Sequence, residues 1–325
     1  MKICVSIASY RDPDLINTVT SAYENAINKK DISFCIVSQD EDGMHPDLMH
    51  IPNVYYYKYH WSQSQGLCWA RNIAINKSVG DYILQVDSHS RFENGWDEII
   101  ERVYSNASKY WGDRIIITKN CNAFEIKDNG EIEYQTFDIQ MKTKPTWYPQ
   151  DNRFALGKTW EEVEDRVHGD EVFYMSGGCT FAAAEIYKSV APDPAIYAED
   201  QLSTAIRAYT RGIRIIFSPE NYVYSLHDKS QPETRDHRFT GEPPKLNRIL
   251  HYNDHPEWKF IHTMKSWSSD RRLDKLYRGE IAGFWGIESK SLYNQFIKIN
   301  DVYFINNIED SDRLNECQDE HCTMH

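Results

Sequence analysis

Residues 82–96 read "YILQVDSHSRFENGW", an apolar run that ends abruptly on a polar Asp87-Ser88-His89 cluster. "YILQV" is strand-sized and apolar enough to be buried on both faces of a sheet. The cluster that follows has two readings. Asp87 or Ser88 can cap a helix, with Glu93 close behind. Alternatively, an Asp and a His two apart in an extended segment point to one side and can share a divalent cation. Three residues leave both readings open, so the decision falls to their surroundings.

Working outward, "KICVSIA" (2–8), "ISFCIVSQ" (32–39), "VYYYKY" (54–59) and "RIIITK" (114–119) are further β-rich runs. Helix-like segments lie between them: 13–28 with Pro13 at a first-turn position, 66–77 ("GLCWARNIAINK") and 95–109. Strands alternating with helices predict an α/β fold of βαβ units around a mostly parallel sheet. Ligands of such sheets bind beyond the carboxyl ends of the strands, which is where Asp87 stands. From about 120 to 170 the pattern gives way to a turn-rich stretch with "DNGE" and "KPTWYPQDN", read as an insertion or lid. A second block follows, with "EVFYMSGGCTFAAAEIY", a helix opening near "YAEDQLSTAIRAYTRG" and the strand "IRIIFSP". The expected organisation is a catalytic unit over 1–230 and a smaller, helical and aromatic addition over 231–325.

Composition bounds the class. No apolar run approaches the roughly 20 residues that a bilayer requires, and "MKICVSIASYRD" turns polar soon after Met1. The expectation is a chain with no membrane partner, in a cytoplasm, or in the host's cytoplasm if the origin is viral. Seven scattered cysteines, several inside apolar runs, suit reduced buried thiols better than a disulfide framework. A formal charge of −13 argues against wholesale coating of nucleic acid. Even so, residues 235–278 hold ten Lys/Arg against six Asp/Glu, interleaved with aromatics such as Trp258 and Trp267, and this segment could track a phosphate backbone. The tail carries Cys317, His321, Cys322 and His325, side chains able to bind zinc, on acidic flanks that suit a loose chain end instead.

The stretch "SQGLCWARNIAINKSVGDYILQVDSHSRFENGWDEII" (64–100) orders a Gly-opened helix carrying Arg71, a Gly80-Asp81 turn, the apolar strand, D-x-H, and a helix opening near Trp96. That order resembles the donor-site core of GT-A glycosyltransferases, and D-x-H in place of D-x-D resembles retaining transferases that use a nucleotide-diphospho-sugar. "VSIASYRDPDL" (5–15), "MSGGCTFA" (175–182), "AEDQLSTAIRAYTRGIRIIFSP" (198–219) and "FWGIESKSLYNQFIKIND" (284–301) extend the resemblance to the cytoplasmic polypeptide N-acetylglucosaminyltransferases that modify hydroxyproline.

The resemblance implies a GT-A-like mixed sheet flanked by helices, a UDP-sugar donor, and Mn²⁺ or Mg²⁺ held by Asp87, His89 and, downstream in "YSLHDKS", His227. Ser6, Ala8, Tyr10 and Arg11 are expected on the loop after the first strand, cradling the nucleoside, with Asp40 facing the uracil. Arg71, Ser88 and the Gly177-Gly178 turn would contact the donor. Of Glu199 and Asp200, at a helix start, one would complement the helix dipole and the other, Asp200 by this reading, would hydrogen-bond the donor sugar or acceptor. The macromolecular acceptor implied is a hydroxylated protein side chain. A hydroxymethylated base in DNA is the alternative that the 235–278 segment suggests. A non-catalytic sugar-nucleotide or carbohydrate-binding protein is a third reading, disfavoured by intact Asp87, His89 and Asp200.

Overall fold

A computed structural model of the 325-residue chain describes residues 1–41, 43–127, 129–135, 141–148, 153–160, 167–197, 200–226 and 271–299. Its centre is an eight-stranded mixed sheet ordered β11-β13-β6-β12-β4-β1-β2-β3. The strands are β1 (Ile3–Tyr10), β2 (Ile32–Gln39), β3 (Val54–Tyr59), β4 (Tyr82–Asp87), β6 (Ile115–Thr118), β11 (Asp170–Val172), β12 (Cys179–Ala183) and β13 (Arg214–Phe217). β1, β2, β3 and β4 run parallel, as do β6 and β13, while β12 is antiparallel to both β4 and β6. The sheet is therefore mixed, because β12 enters from the other direction and brings the Gly177-Gly178 turn to the carboxyl end of β4.

Helices cover both faces, which explains the near-continuous burial of β1 and β4. On one side α1 (Leu15–Asn25) and α3 (Trp96–Trp111) bury Leu15, Val19, Trp96, Ile100 and Val103 against Ile3, Val5, Phe34, Leu84 and Ile117. On the other, α2 (Leu67–Lys77) sets Ala70 and Ala74 on Val37, and α4 (Ala184–Ser189) and α5 (Asp200–Thr210) cover Ile83, Ile116 and Ile215. Beyond α5 lie two more helices, α6 (271–277) and α7 (Lys290–Ile299), whose Leu273, Leu276, Tyr293 and Phe296 pack on Leu202 and Ile206. Of residues 231–325 only 271–299 are described, and they hold α6 and α7 with a non-helical connection between them.

Two expectations are corrected by backbone geometry. The helix-cap reading of the Asp87-Ser88-His89 cluster fails: the chain leaves β4 for a short strand, β5 (Ser90–Phe92), and α3 starts later, with Gly95 as its N-cap. The stretch from 120 to 170 holds strands rather than turns alone. β7 (Asn122–Ile126) and β8 (Ile132–Tyr134) join β5 and β14 (Val223–Leu226) in a second sheet ordered β5-β14-β7-β8, and β9 (Met141–Tyr148) pairs with β10 (Arg153–Trp160). β14 is buried, whereas β8 is exposed throughout, and its three residues Ile132, Glu133 and Tyr134 are too few for an alternating pattern to mark a strand in sequence.

Cys4, Cys35, Cys68 and Cys179 are buried free thiols and Cys121 is a half-buried one, in line with a reduced interior. Among the described residues no helix is long and apolar enough to cross a membrane. Lys119, one residue past β6, is 1% exposed. Its Nζ lies 5.2 Å from the Phe217 ring centroid and donates to the Ser218 carbonyl at 3.3 Å. Burial lowers its pKa from the ordinary 10.5 to about 7. The folded state therefore binds this proton less readily than the unfolded chain, and the cost of keeping Lys119 in the interior shrinks as pH rises from about 7 towards 10.5. We expect urea unfolding to show wild type gaining on Lys119→Met across pH 7 to 9.5, by up to about 1.4 kcal/mol per pH unit. A constant difference would contradict the burial assignment.

Candidate functional site

The carboxyl end of β4, the turn before β12 and the first turn of α5 meet around one side chain, Arg71. It projects from α2 into the sheet and is 4% exposed. Nη1 donates to Asp200 Oδ2 at 2.6 Å, and Nη2 donates to Asp87 Oδ1 at 2.7 Å and to the Gly177 carbonyl at 2.8 Å. Burial by itself would lower the pKa of the guanidinium, but Asp200 and then Asp87 outweigh it and push the value further up. Arg71 is thus a fixed cation that holds two carboxylates in charge-assisted hydrogen bonds. Arg71, which the sequence reading turned towards the donor, faces inward onto Asp87, Asp200 and the Gly177 carbonyl.

The glycine turn is part of the same arrangement. The Gly177 carbonyl also accepts from Gln85 Nε2 at 3.0 Å. A Cβ at Gly177 would fall 2.8 Å from Arg71 Nη1 and 3.1 Å from Gln201 Nε2, and one at Gly178 would fall 3.1 Å from Asp87 Oδ2. Backbone has to approach the ion pairs closely here, and only glycine allows it.

A second cluster adjoins Asp87. Ser88 Oγ donates to Asp12 Oδ2 at 2.7 Å, and His89 Nδ1 meets the same oxygen at 2.7 Å. Asp12 Oδ1 accepts the Asp14 backbone N–H at 3.0 Å. Burial would raise the Asp12 pKa, but the hydrogen bonds and charge of His89, with Ser88 and the Asp14 amide, hold it well below the usual carboxylate range. An ionised carboxylate only accepts, so His89 donates through Nδ1 in this contact. Asp14 in turn forms a bidentate pair with Arg91, with both bonds at 2.8 Å. Ser88, expected to contact the donor, places its hydroxyl on Asp12 and is 3% exposed.

Of the four residues expected on the loop after the first strand, only Arg11 lies past β1. β1 continues to Tyr10, so Ser6 and Ala8 stand within the strand rather than on a loop, and Ser6 is 1% exposed. Arg11 is the first residue past the strand. It takes a left-handed φ of 46° and stacks 5.4 Å from the Trp61 ring centroid. Trp61 donates through Nε1 to Glu41 Oε1 at 2.7 Å, beside Asp40 at the end of β2. Tyr10, Arg11 and Asp40 therefore share one rim. Asp12, Trp61, Gln85 and Gln201 complete the surroundings without being singled out by sequence. The "DPD" of residues 12–14 is the one signal that could have pointed to Asp12.

Asp87 Oδ2 and His89 Nε2 have the oxygen and imidazole chemistry that Mn²⁺ or Mg²⁺ accepts. Among the described residues, however, no group of three His, Cys, Asp or Glu is disposed to hold a metal ion. Glu199, His227, the tail Cys/His residues and most of the basic segment 235–278 lie outside the described residues. Of that segment, Arg272 pairs with Asp193 at 2.5 Å and Arg278 with Asp274 at 2.9 Å. Gly177→Ala is expected to cost about 1–3 kcal/mol of folding stability by forcing Arg71 off its partners. Gly43→Ala, where a Cβ would meet nothing within 4 Å, serves as the control. Equal denaturation midpoints for the two variants would contradict the close packing of the turn.

No curated protein matches the chain. Among solved structures, S. aureus TarS 1–349 in complex with UDP is 12% identical, with 86% of this chain and 91% of that one covered and a TM-score of 0.47. TarS 1–349 in complex with UDP-GlcNAc gives 12% identity, coverage of 86% and 92%, and a TM-score of 0.45. Against S. aureus TarS itself the identity is 13% and the TM-score 0.44, and the match spans 73% of this chain but only 38% of that one. The family described as Glycosyltransferase (GlcNAc) matches residues 45–239. That interval, more than half of the chain, runs through α2, the β4 end with Asp87 and His89, the glycine turn and Asp200, and the chain belongs to the Glycosyltransferase (GlcNAc) family.

Proposed function

We propose that the chain transfers N-acetylglucosamine from UDP-GlcNAc, with retention of configuration, to a hydroxyl of a macromolecular acceptor, a hydroxylated protein side chain. The observation that carries this reading is the Asp87-Arg71-Asp200 constellation inside the family-matched region, with Arg71 and Asp200 buried and Asp87 partly open at the carboxyl end of β4. Asp87 and His89 would hold Mn²⁺ or Mg²⁺, with His227 as third ligand. In support, Leu226, the residue before His227, donates its backbone N–H to the His89 carbonyl at 3.0 Å. When bound, the cation supplies charge to neutralise the diphosphate of the leaving nucleotide.

The other roles follow from how each residue is held. Arg71 keeps Asp87 and Asp200 oriented, and adds a fixed positive charge behind the position where the leaving phosphate develops negative charge. Asp200 has one oxygen bound to Arg71, which leaves the other to accept from a sugar or acceptor hydroxyl. In a retaining transfer the leaving phosphate can take the acceptor proton on the same face, so Asp200 is not required to act as a strong base. Glu199 would complement the start of α5. Tyr10, Arg11 and Asp40 form the nucleoside rim. Cytoplasmic location fits a hydroxylated intracellular acceptor.

UDP release is the direct test. With Mn²⁺ and UDP-GlcNAc, wild type is expected to release UDP, and Asp87→Ala to lose on the order of 10²–10³-fold in rate. Chelation of the metal is expected to abolish release. Mass spectrometry on a hydroxyproline peptide should then find the added sugar. Release that persists unchanged in Asp87→Ala would overturn the assignment, and glycosylation of hydroxymethylated DNA instead of the peptide would overturn the acceptor.

A further inference from the structure

We propose that Asp12 is a positioning residue that fixes the ring orientation and tautomer of His89, so that Nε2 is presented to the divalent cation of the proposed reaction. The inference rests on the metal-dependent reading above and deepens it, by naming the residue that prepares His89 as a ligand. A histidine binds a metal through one neutral ring nitrogen, and the group that takes the proton on the other nitrogen decides which one is available. Carboxylates commonly fill that place behind metal-bound histidines.

The geometry meets each requirement. The Asp12 side chain is 1% exposed and that of His89 15%. The carboxylate is held on both oxygens, Oδ1 by the Asp14 amide at 3.0 Å and Oδ2 by Ser88 Oγ and His89 Nδ1 at 2.7 Å each. An asparagine that kept its oxygen on the Asp14 amide would turn its NH₂ to Ser88 and His89, and His89 would then have to accept through Nδ1 and carry its proton on Nε2. The carboxylate and its partner are also braced against one another. Thr18 Oγ1, on α1, donates to the Ser88 carbonyl at 2.8 Å and accepts the Ser90 amide at 2.8 Å, tying the helix that follows Asp12 to the segment that carries His89. The adjacent Asp14-Arg91 pair anchors the turn without touching His89. Asp12 is thus a preset acceptor behind the ring rather than a mobile surface group.

A purely structural role, the stapling of α1 to β5, would make Asp12 matter for stability alone. Mn²⁺ binding to the full chain, followed by electron paramagnetic resonance of the unbound ion, distinguishes the two. Asp12→Asn is expected to weaken Mn²⁺ by about 10–100-fold. Arg91→Met, which breaks the neighbouring pair, is expected to lower the melting temperature and leave Mn²⁺ affinity as it was. Asp12→Asn binding as tightly as wild type, or Arg91→Met losing as much as Asp12→Asn, overturns the inference alone. Wild type without Mn²⁺ affinity, or His89→Ala with undiminished affinity, overturns the metal reading together with it. A readout that needs no variant comes from ¹⁵N NMR of the metal-free wild type at pH 8. The expected His89 signature is a protonated Nδ1 and a bare Nε2, and the opposite tautomer overturns the proposal.

Discussion

One buried cation organises the end of the central sheet. Arg71 is the common partner of Asp87 from β4, Asp200 from α5 and the Gly177 carbonyl from the turn before β12. An arginine is needed rather than a lysine, because three acceptors from three directions call for a planar fork of donors with a charge that never titrates. Burying charges in this way is costly unless each is paired. The two carboxylates meet that condition for Arg71, and Arg71 meets it for Asp200, whose side chain is 7% exposed. Asp87 is more open, at 29%, and so has one edge available to a ligand.

The rest of the fold can be understood as delivering these groups. α2 has to lie on the sheet with small Ala70 and Ala74 inward, so that Arg71 comes down to the strand ends. β12 has to run antiparallel between β4 and β6, so that its preceding glycines arrive beside Asp87. The Asp12-His89 contact repeats the same logic at lower charge, one carboxylate aligning a side chain that stands two residues past Asp87. Both carboxylates of the "DPD" turn are consumed in this way, Asp14 by Arg91 and Asp12 by His89 and Ser88. Preorganisation of this kind matters because charge developing in a reaction is stabilised most by groups that need not reorient.

Much of this is legible in the sequence. β1, β2 and β4 stand out because their apolar runs are buried on one or both faces, β3 because it is a run of aromatic and β-branched residues, and α3 because its apolar spacing follows the helical period. Asp87 and His89 are legible because a polar cluster at the end of a buried strand has few structural uses. The inward direction of Arg71 is not legible, since an arginine on a helix reads the same whether it is solvated or buried. Asp12 is hidden for a different reason: its partners lie 76 and 77 residues away, and "DPD" reads as an ordinary turn. β8 is missed because its three residues are all exposed and follow a turn-forming Asn-Gly.

The claim that Arg71 and its carboxylates form one energetic unit is tested most directly by a double-mutant cycle on folding stability with Arg71→Met and Asp200→Asn. Arg71→Met strands the buried Asp200 carboxylate and is expected to cost about 3–5 kcal/mol, whereas Asp200→Asn leaves Arg71 paired with Asp87 and should cost less. The double variant has no Asp200 charge left to strand, and should cost less than the sum by about 2–3 kcal/mol. Costs that add to within about 0.5 kcal/mol would contradict the coupling, and with it the place given to Arg71 at the centre of the site.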